Sequence, residues 1–208
     1  SMIPVSSALD PQAALAAFAV ADGLKVELVA AEPLVESPVA MSFDARGRLF
    51  VAEMPGFPLG SPAGEKPADR IVLLEDTDGD GRMDKRTVYA DGLAYPMGVL
   101  PWRDGVIVTC APDVFLLRDT NGDGRADERR VLFTGFSTEQ SPALRMNCPT
   151  LGPDGWIYIA AGLSGGTITT PDYPERPALK MIADLRFNPD TLEIENVDGR
   201  TQYGMSFD

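Results

Sequence analysis

Asp76-Thr77-Asp78-Gly79-Asp80-Gly81-Arg82-Met83-Asp84 and Asp119-Thr120-Asn121-Gly122-Asp123-Gly124-Arg125-Ala126-Asp127 are two copies of one acidic loop, beginning 43 residues apart. In each, oxygen-bearing side chains stand at positions 1, 3, 5 and 9, and a glycine at position 6 permits the sharp turn that gathers them around a hard cation. Asp76, Asp78, Asp80 and Asp84, with the Arg82 carbonyl, are the expected ligands of one calcium ion. Asp119, Asn121, Asp123 and Asp127, with the Arg125 carbonyl, are those of a second. The alternative is a solvated hairpin turn, since Asp-Gly is a strong turn signal by itself. Two copies with one ligand spacing favour the ion. Position 12 is Thr87 or Arg130, so the bidentate Glu of an EF-hand is missing, and no amphipathic helices flank the loops. They read as calcium clips on strand hairpins.

A period of 43 residues suits one four-stranded blade of a β-propeller, with each acidic loop as the outer hairpin between third and fourth strands. Working outward, three comparable units appear, at about 39–95, 96–136 and 146–201. The first opens with Met41-Ser42-Phe43-Asp44 and carries a Pro/Gly-rich insertion, Met54 to Asp69. The third carries Gly152-Pro153-Asp154-Gly155 and has Asn188-Pro189-Asp190-Thr191 where the others have the acidic loop. Met205-Ser206-Phe207-Asp208 repeats the first unit's opening letter for letter, so a fourth blade is expected to start at 202–208. Ahead of the repeats, Asp10-Pro11 is an N-cap followed by Pro at the first helical position of a short helix. Leu24, Val26 and Leu28 alternate with Lys25, Glu27 and Val29, which predicts a half-buried strand. The expected organisation is residues 1–22, a Ser1-Met2 cloning scar and short helix, then 23–208, an all-β partial propeller of about three blades.

The chain has 208 residues, 44% of them hydrophobic, enough for a core. Its net charge of −13 argues against nucleic acid and anionic membrane surfaces, which reward Lys/Arg clusters. No apolar run is long enough for direct membrane insertion, and the N-terminus lacks a signal-peptide pattern. Histidine is absent, which removes the commonest general base and any Cys-x-x-Cys-His haem attachment. Cys110 and Cys148 read either as one disulfide of an exported protein or as two buried small hydrophobes.

Phe18-Ala19-Val20, Gly23-Leu24-Lys25-Val26-Glu27-Leu28-Val29-Ala30-Ala31-Glu32-Pro33 and Pro38-Val39-Ala40-Met41 resemble the opening of the propeller in proteins assigned as bacterial membrane-bound dehydrogenases. The acidic loop after Leu73-Leu74-Glu75 and the hairpin Gly152-Pro153-Asp154-Gly155-Trp156-Ile157-Tyr158 resemble it too. The resemblance is to the glucose/sorbosone dehydrogenase-like family of six-bladed propellers, of which nearly all this chain matches about the first half. It implies an extracytoplasmic, periplasmic or cell-surface protein, with a quinone cofactor and a haem domain belonging to a full-length parent. Related quinone-dependent sugar dehydrogenases place a histidine base shortly before the Gly-Pro-Asp-Gly turn. Here that stretch is Leu144-Arg145-Met146-Asn147-Cys148, and Arg145 stays protonated near neutral pH.

Two readings follow. One is a fragment of an exported sugar or alcohol dehydrogenase-like propeller, not catalytically competent alone. The other is a non-enzymatic, calcium-stabilised module for binding or assembly. Propeller ligands usually sit over the central channel, on the face where loops enter the innermost strands. Glu53, Tyr95, Arg145, Asn147, Gln202 and Tyr203 are the expected residues of that face. The expected partner is a second copy completing the ring, or the remaining blades of the parent, through two uncovered faces each rich in Val, Ile, Leu and Phe.

Overall fold

Strand β2 (Leu49–Glu53) is buried at every position, and so is β6 (Gly105–Cys110). A strand buried on both faces must lie between layers, and the layers here are antiparallel sheets stacked face to face. The computed structural model describes residues 9–207; Ser1-Met2 and Asp208 lie outside the described residues. The first sheet runs β1 (Pro38–Phe43), β2, β3 (Asp69–Glu75), β4 (Lys85–Leu93), each strand paired with the next. The second runs β5 (Gly98–Trp102), β6, β7 (Asp113–Arg118), β8 (Glu128–Phe136). The third is built from β9 (Asn147–Leu151), β10 (Ile157–Ala160), β13 (Leu185–Phe187) and β14 (Ile194–Asn196). These are propeller blades 1, 2 and 3, and the protein is all-β apart from the short helix α1 (Pro11–Ala16) and one 3-10 turn. Asp10 caps α1, accepting the Gln12 and Ala13 N–H groups at 3.0 Å each.

Period-two alternation sorts the apolar residues into the seams between blades. Phe50, Ala52, Ile71 and Leu73 of blade 1 meet Val99, Val106, Val108 and Leu117 of blade 2. Ile107, Val114 and Leu116 of blade 2 meet Ile157, Ile159, Leu185 and Phe187 of blade 3. Each Val, Ile, Leu or Phe among them contributes roughly 1.5–3 kcal/mol when fully buried, so the seams hold the stack together. Both acidic loops join third to fourth strands, between β3 and β4 and between β7 and β8.

Three expectations need correction. The stretch Leu24 to Val29 is extended with its alternation intact, but it forms no ladder, because no neighbouring strand lies at its edge among the described residues. The second sheet has six strands, not four. The insertion of the third unit folds as the hairpin β11 (Gly166–Thr169) and β12 (Leu179–Met181), and β11 pairs antiparallel with the outer edge of β8. Finally, the two end faces differ. The blade 1 end carries Leu49, Val51, Val72 and Leu74. The blade 3 end carries Tyr158 and Arg186, with Arg186 held by Asp154 at 2.8 Å and by Glu195, and Phe207 packed edge-on to Tyr158. Tyr203 to Phe207 forms no strand.

Candidate functional site

The acidic loops have one hydrogen-bond plan. In the first, Asp76 accepts the N–H groups of Gly79 and Gly81 at 2.7 and 2.9 Å. In the second, Asp119 accepts those of Gly122, Asp123 and Gly124 at 2.7, 3.1 and 2.8 Å. Asp80 and Asp123 each accept from the arginine two residues on, at 2.8 Å. Thr77 and Thr120 donate their hydroxyls to Asp84 and Asp127 at 2.8 and 2.9 Å. Gly81 and Gly124 sit at φ +89° and +83°, where a Cβ would be strained, which is why the spelling demands glycine there. The N–H of Gly81, foremost among its bonds, holds the Asp76 carboxyl below the usual carboxylate range. Desolvation pushes Asp119 up, but the N–H groups of Gly124, Gly122 and Asp123 outweigh it and leave that carboxyl low as well. Both anions are thus stabilised at neutral pH.

Ligand oxygens of Asp76, Asp78 and Asp84 approach within 4.8 Å of one another. Three carboxylates that close repel unless a cation joins them, which fits a hard divalent ion with oxygen donors. Among the described residues no second trio of His, Cys, Asp or Glu ligand atoms is that close; Asn121 takes the third position in the other loop.

The innermost strands β1, β5 and β9 stand side by side and line a groove of about 430 Å³, with Met41, Met97, Asn147, Cys148 and Tyr203 among its lining residues. Of the six residues expected at the channel face, Asn147 and Tyr203 line this groove and the other four do not. Glu53 is fully buried, accepting from Arg70 at 2.6 Å, Arg86 at 2.9 Å and the Glu36 N–H at 2.8 Å. Asn147 donates to the carbonyls of Arg145 and Gln202 and accepts the Gly204 N–H, so it ties the incoming fourth segment to β9. Gln202 and Tyr203 are exposed on that segment. Arg145 and Tyr95 also come together: the guanidinium stacks on the Tyr95 ring and donates to the Thr138 carbonyl at 3.0 Å. Its Nε is buried without a partner, and burial lowers its pKa from the ordinary arginine value, leaving it a cation at neutral pH.

Two carboxylates escaped the sequence reading. Asp69 opens β3 and accepts the N–H groups of Gly56 and Tyr95, both at 2.9 Å. Asp184, just before β13, accepts those of Ala161 and Thr201 and the Thr201 hydroxyl. Each therefore ties its blade's third strand to the loop leaving that blade. The recurrence of Asp immediately before or at the third strand was the signal available, but one residue among many acids carries no motif. Cys110 and Cys148 are free thiols. Burial pushes the Cys110 thiol up to about 11, and it donates to the Ala94 carbonyl at 3.3 Å, while Cys148 contacts Thr150.

No helix among the described residues is long and apolar enough to cross a membrane. Among solved structures, the chain is similar to a Thermus thermophilus protein assigned as an oxidoreductase (glucose dehydrogenase), at 22% identity and a TM-score of 0.48, over 83% of this chain and 59% of that one. This chain spans less than two thirds of that protein's length. No curated protein matches it. Over residues 10–208 the chain matches, and belongs to, the family described as domain of unknown function DUF7133.

Proposed function

We propose that this domain is the calcium-clipped framework of a dehydrogenase-like propeller, contributing blades and a channel wall rather than a complete catalytic centre. The shared hydrogen-bond plan of the two acidic loops, with Asp76, Asp78 and Asp84 within 4.8 Å, carries the reading. Asp76, Asp78, Asp80, Asp84 and the Arg82 carbonyl would hold one ion. Asp119, Asn121, Asp123, Asp127 and the Arg125 carbonyl would hold the other. The ions supply charge neutralisation and rigidity at the outer hairpins, not chemistry.

The engagement of the channel-mouth residues supports the division of labour. Glu53 is sealed by two arginines, Asn147 is spent on backbone, and the Cys110 thiol is protonated at neutral pH. A quinone cofactor does not fit what these residues offer, since Arg145 is committed to Tyr95 and Thr138. The second reading, a non-enzymatic assembly module, draws on the same engagement and shares the calcium clips.

Isothermal titration of the chelator-treated protein with calcium chloride tests the proposal, with thermal melts alongside. Two binding events and a higher Tm are expected, the weaker event vanishing in Asn121→Ala and the stronger in Asp78→Ala. An unchanged melt with no heat of binding overturns it.

A further inference from the structure

Asn121 stands where the first acidic loop has Asp78, and Gly122 follows it. Its side-chain oxygen accepts the Asp123 N–H at 2.9 Å, as Asp78 accepts that of Asp80 at 3.2 Å. That bond folds the Asn121 side chain back along the Gly122 peptide and brings its amide carbon, Cγ, toward the Gly122 nitrogen. Both residues are exposed, and a Cβ added to Gly122 would meet nothing within 4 Å, so water reaches the reacting groups and no side chain crowds them. Among the described residues Nδ2 of Asn121 has no acceptor, so nothing holds that nitrogen in place. The chain's other asparagines are each blocked. Asn147 is buried, with Nδ2 donating to the carbonyls of Arg145 and Gln202 at 3.1 and 2.8 Å. Asn188 precedes Pro189, which has no N–H to act as a nucleophile. Asn196 precedes the β-branched Val197, and its amide is held at both ends, by the Lys180 carbonyl at 3.1 Å and the Ile182 N–H at 3.0 Å.

We propose that Asn121 is a self-modification site, at which the second acidic loop loses a side-chain amide to attack by its own backbone. The Gly122 nitrogen gives its proton to solvent and bonds to Cγ of Asn121. The Cγ–Nδ2 bond then breaks, and the nitrogen leaves as ammonia after taking a proton from water. The cyclic imide that remains adds one water. Breaking the new N–Cγ bond leaves aspartate, whereas breaking the original peptide bond leaves isoaspartate, whose backbone runs through the side chain and is longer by a methylene. The net change consumes water and releases ammonia, with nothing oxidised or reduced. The aspartate product has the first loop's spelling at every side-chain ligand position and one more negative charge. The isoaspartate product displaces Asp123 and Gly124, whose N–H groups the Asp119 carboxylate accepts at 3.1 and 2.8 Å, and so loosens the turn. The chemistry rests on the Asn121-Gly122 geometry and not on the ions, so its failure leaves the calcium reading standing.

Peptide mapping of the full chain, aged with chelator in mildly alkaline buffer, tests it. Trypsin cuts after Arg118 and Arg125, so residues 119–125 leave as one peptide. That peptide should gain the mass difference between a hydroxyl and an amino group, at least about tenfold sooner than the peptides holding Asn147, Asn188 or Asn196. Its rate in the folded protein should fall no more than about tenfold below that of the free synthetic 119–125 peptide, because exposed loops open at little cost. Ion exchange should show a matching acidic species in the aged chain and none in aged Asn121→Ala. The mapping needs no variant, so a misfolded Asn121→Ala leaves the test intact. A 119–125 segment still unchanged in the folded protein once the free peptide has converted overturns the proposal. So does earlier conversion at another asparagine, or an equal acidic species in a folded Asn121→Ala.

Discussion

The guanidinium carbon of Arg145 lies 5.1 Å from the centroid of the Tyr95 ring, so the loop entering β9 is fastened to the loop entering β5 by a cation and an aromatic face. Tyr95 holds φ +61° to present that face, and Asp69 fixes it there through its N–H. A cation–π pair this sheltered contributes between exposed and desolvated limits. Arg145→Met should therefore cost about 1–2 kcal/mol in urea unfolding, part of it from lost packing of the stem. Tyr95→Leu should cost a similar amount, and the double variant less than the sum by about 0.5–2 kcal/mol. Strict additivity would show that the stacking carries no energy.

Glu53 presents a sharper test, because it is a carboxylate with no solvent exposure between two arginines. Removing one member of a buried ion pair leaves uncompensated charge and typically costs about 3–5 kcal/mol. Glu53→Gln should lower stability toward that range in guanidinium melts, even though the shape is preserved. Replacing Glu53, Arg70 and Arg86 together by Met, Leu and Met should recover most of the loss. A Glu53→Gln protein as stable as the parent would mean that the arginines are satisfied without it.

Why the blades could be read and the mouth could not is visible in these same residues. Short apolar runs such as Leu49-Phe50-Val51-Ala52 and the Asp-Gly loops are local signals, since they depend on neighbouring side chains and on φ at particular glycines. They located the strands, the outer hairpins and the helix cap. Glu53 was placed at the ligand face because its position ends a strand there, but its role depends on Arg70 and Arg86 reaching across the sheet, 17 and 33 residues away. Asp69 and Asp184 act through backbone N–H groups of distant loops, which leave no mark on the sequence. The β11–β12 hairpin was missed for a related reason: Gly166-Thr167-Ile168-Thr169 is short and glycine-led, and its partner, β8, belongs to the preceding repeat. Residues 24–31 show the converse, a local strand pattern that forms no ladder among the described residues.

Acid should weaken the first hairpin of blade 1. Burial pushes the Asp44 carboxyl up, but the Arg48 guanidinium at 2.7 Å and the N–H groups of Arg48 and Arg46 outweigh it and set the folded pKa below the ordinary aspartate value. With the folded pKa depressed, the unfolded chain binds more protons in the window between the two values. The contribution is thus complete above about pH 4, near the unfolded pKa, and is lost as pH falls through the folded value. Asp44→Asn, which cannot titrate, should lie below the parent in Tm at pH 6 and converge on it as pH falls through the folded value. Parallel Tm profiles for the two proteins would remove Asp44 from the acid response.

The hairpin grafted from blade 3 onto blade 2 depends on one glycine. Gly135, in β8, has φ +101°, and a Cβ built there runs into the Thr167 carbonyl of β11. Backbone cannot swing aside as a side-chain tip can, so Gly135→Ala carries both left-handed strain and a clash at the β8–β11 edge. The expected loss is about 2 kcal/mol or more, with faster proteolysis between residues 162 and 182 as β11 lifts from β8. Gly155→Ala separates the two effects: its φ is +80°, but a Cβ there meets nothing within 4 Å, so it should cost only the strain, about 1 kcal/mol. Equal losses in the two variants, with the 162–182 segment no more cleavable in either, would show that the close approach of Gly135 to Thr167 does not hold the hairpin in place.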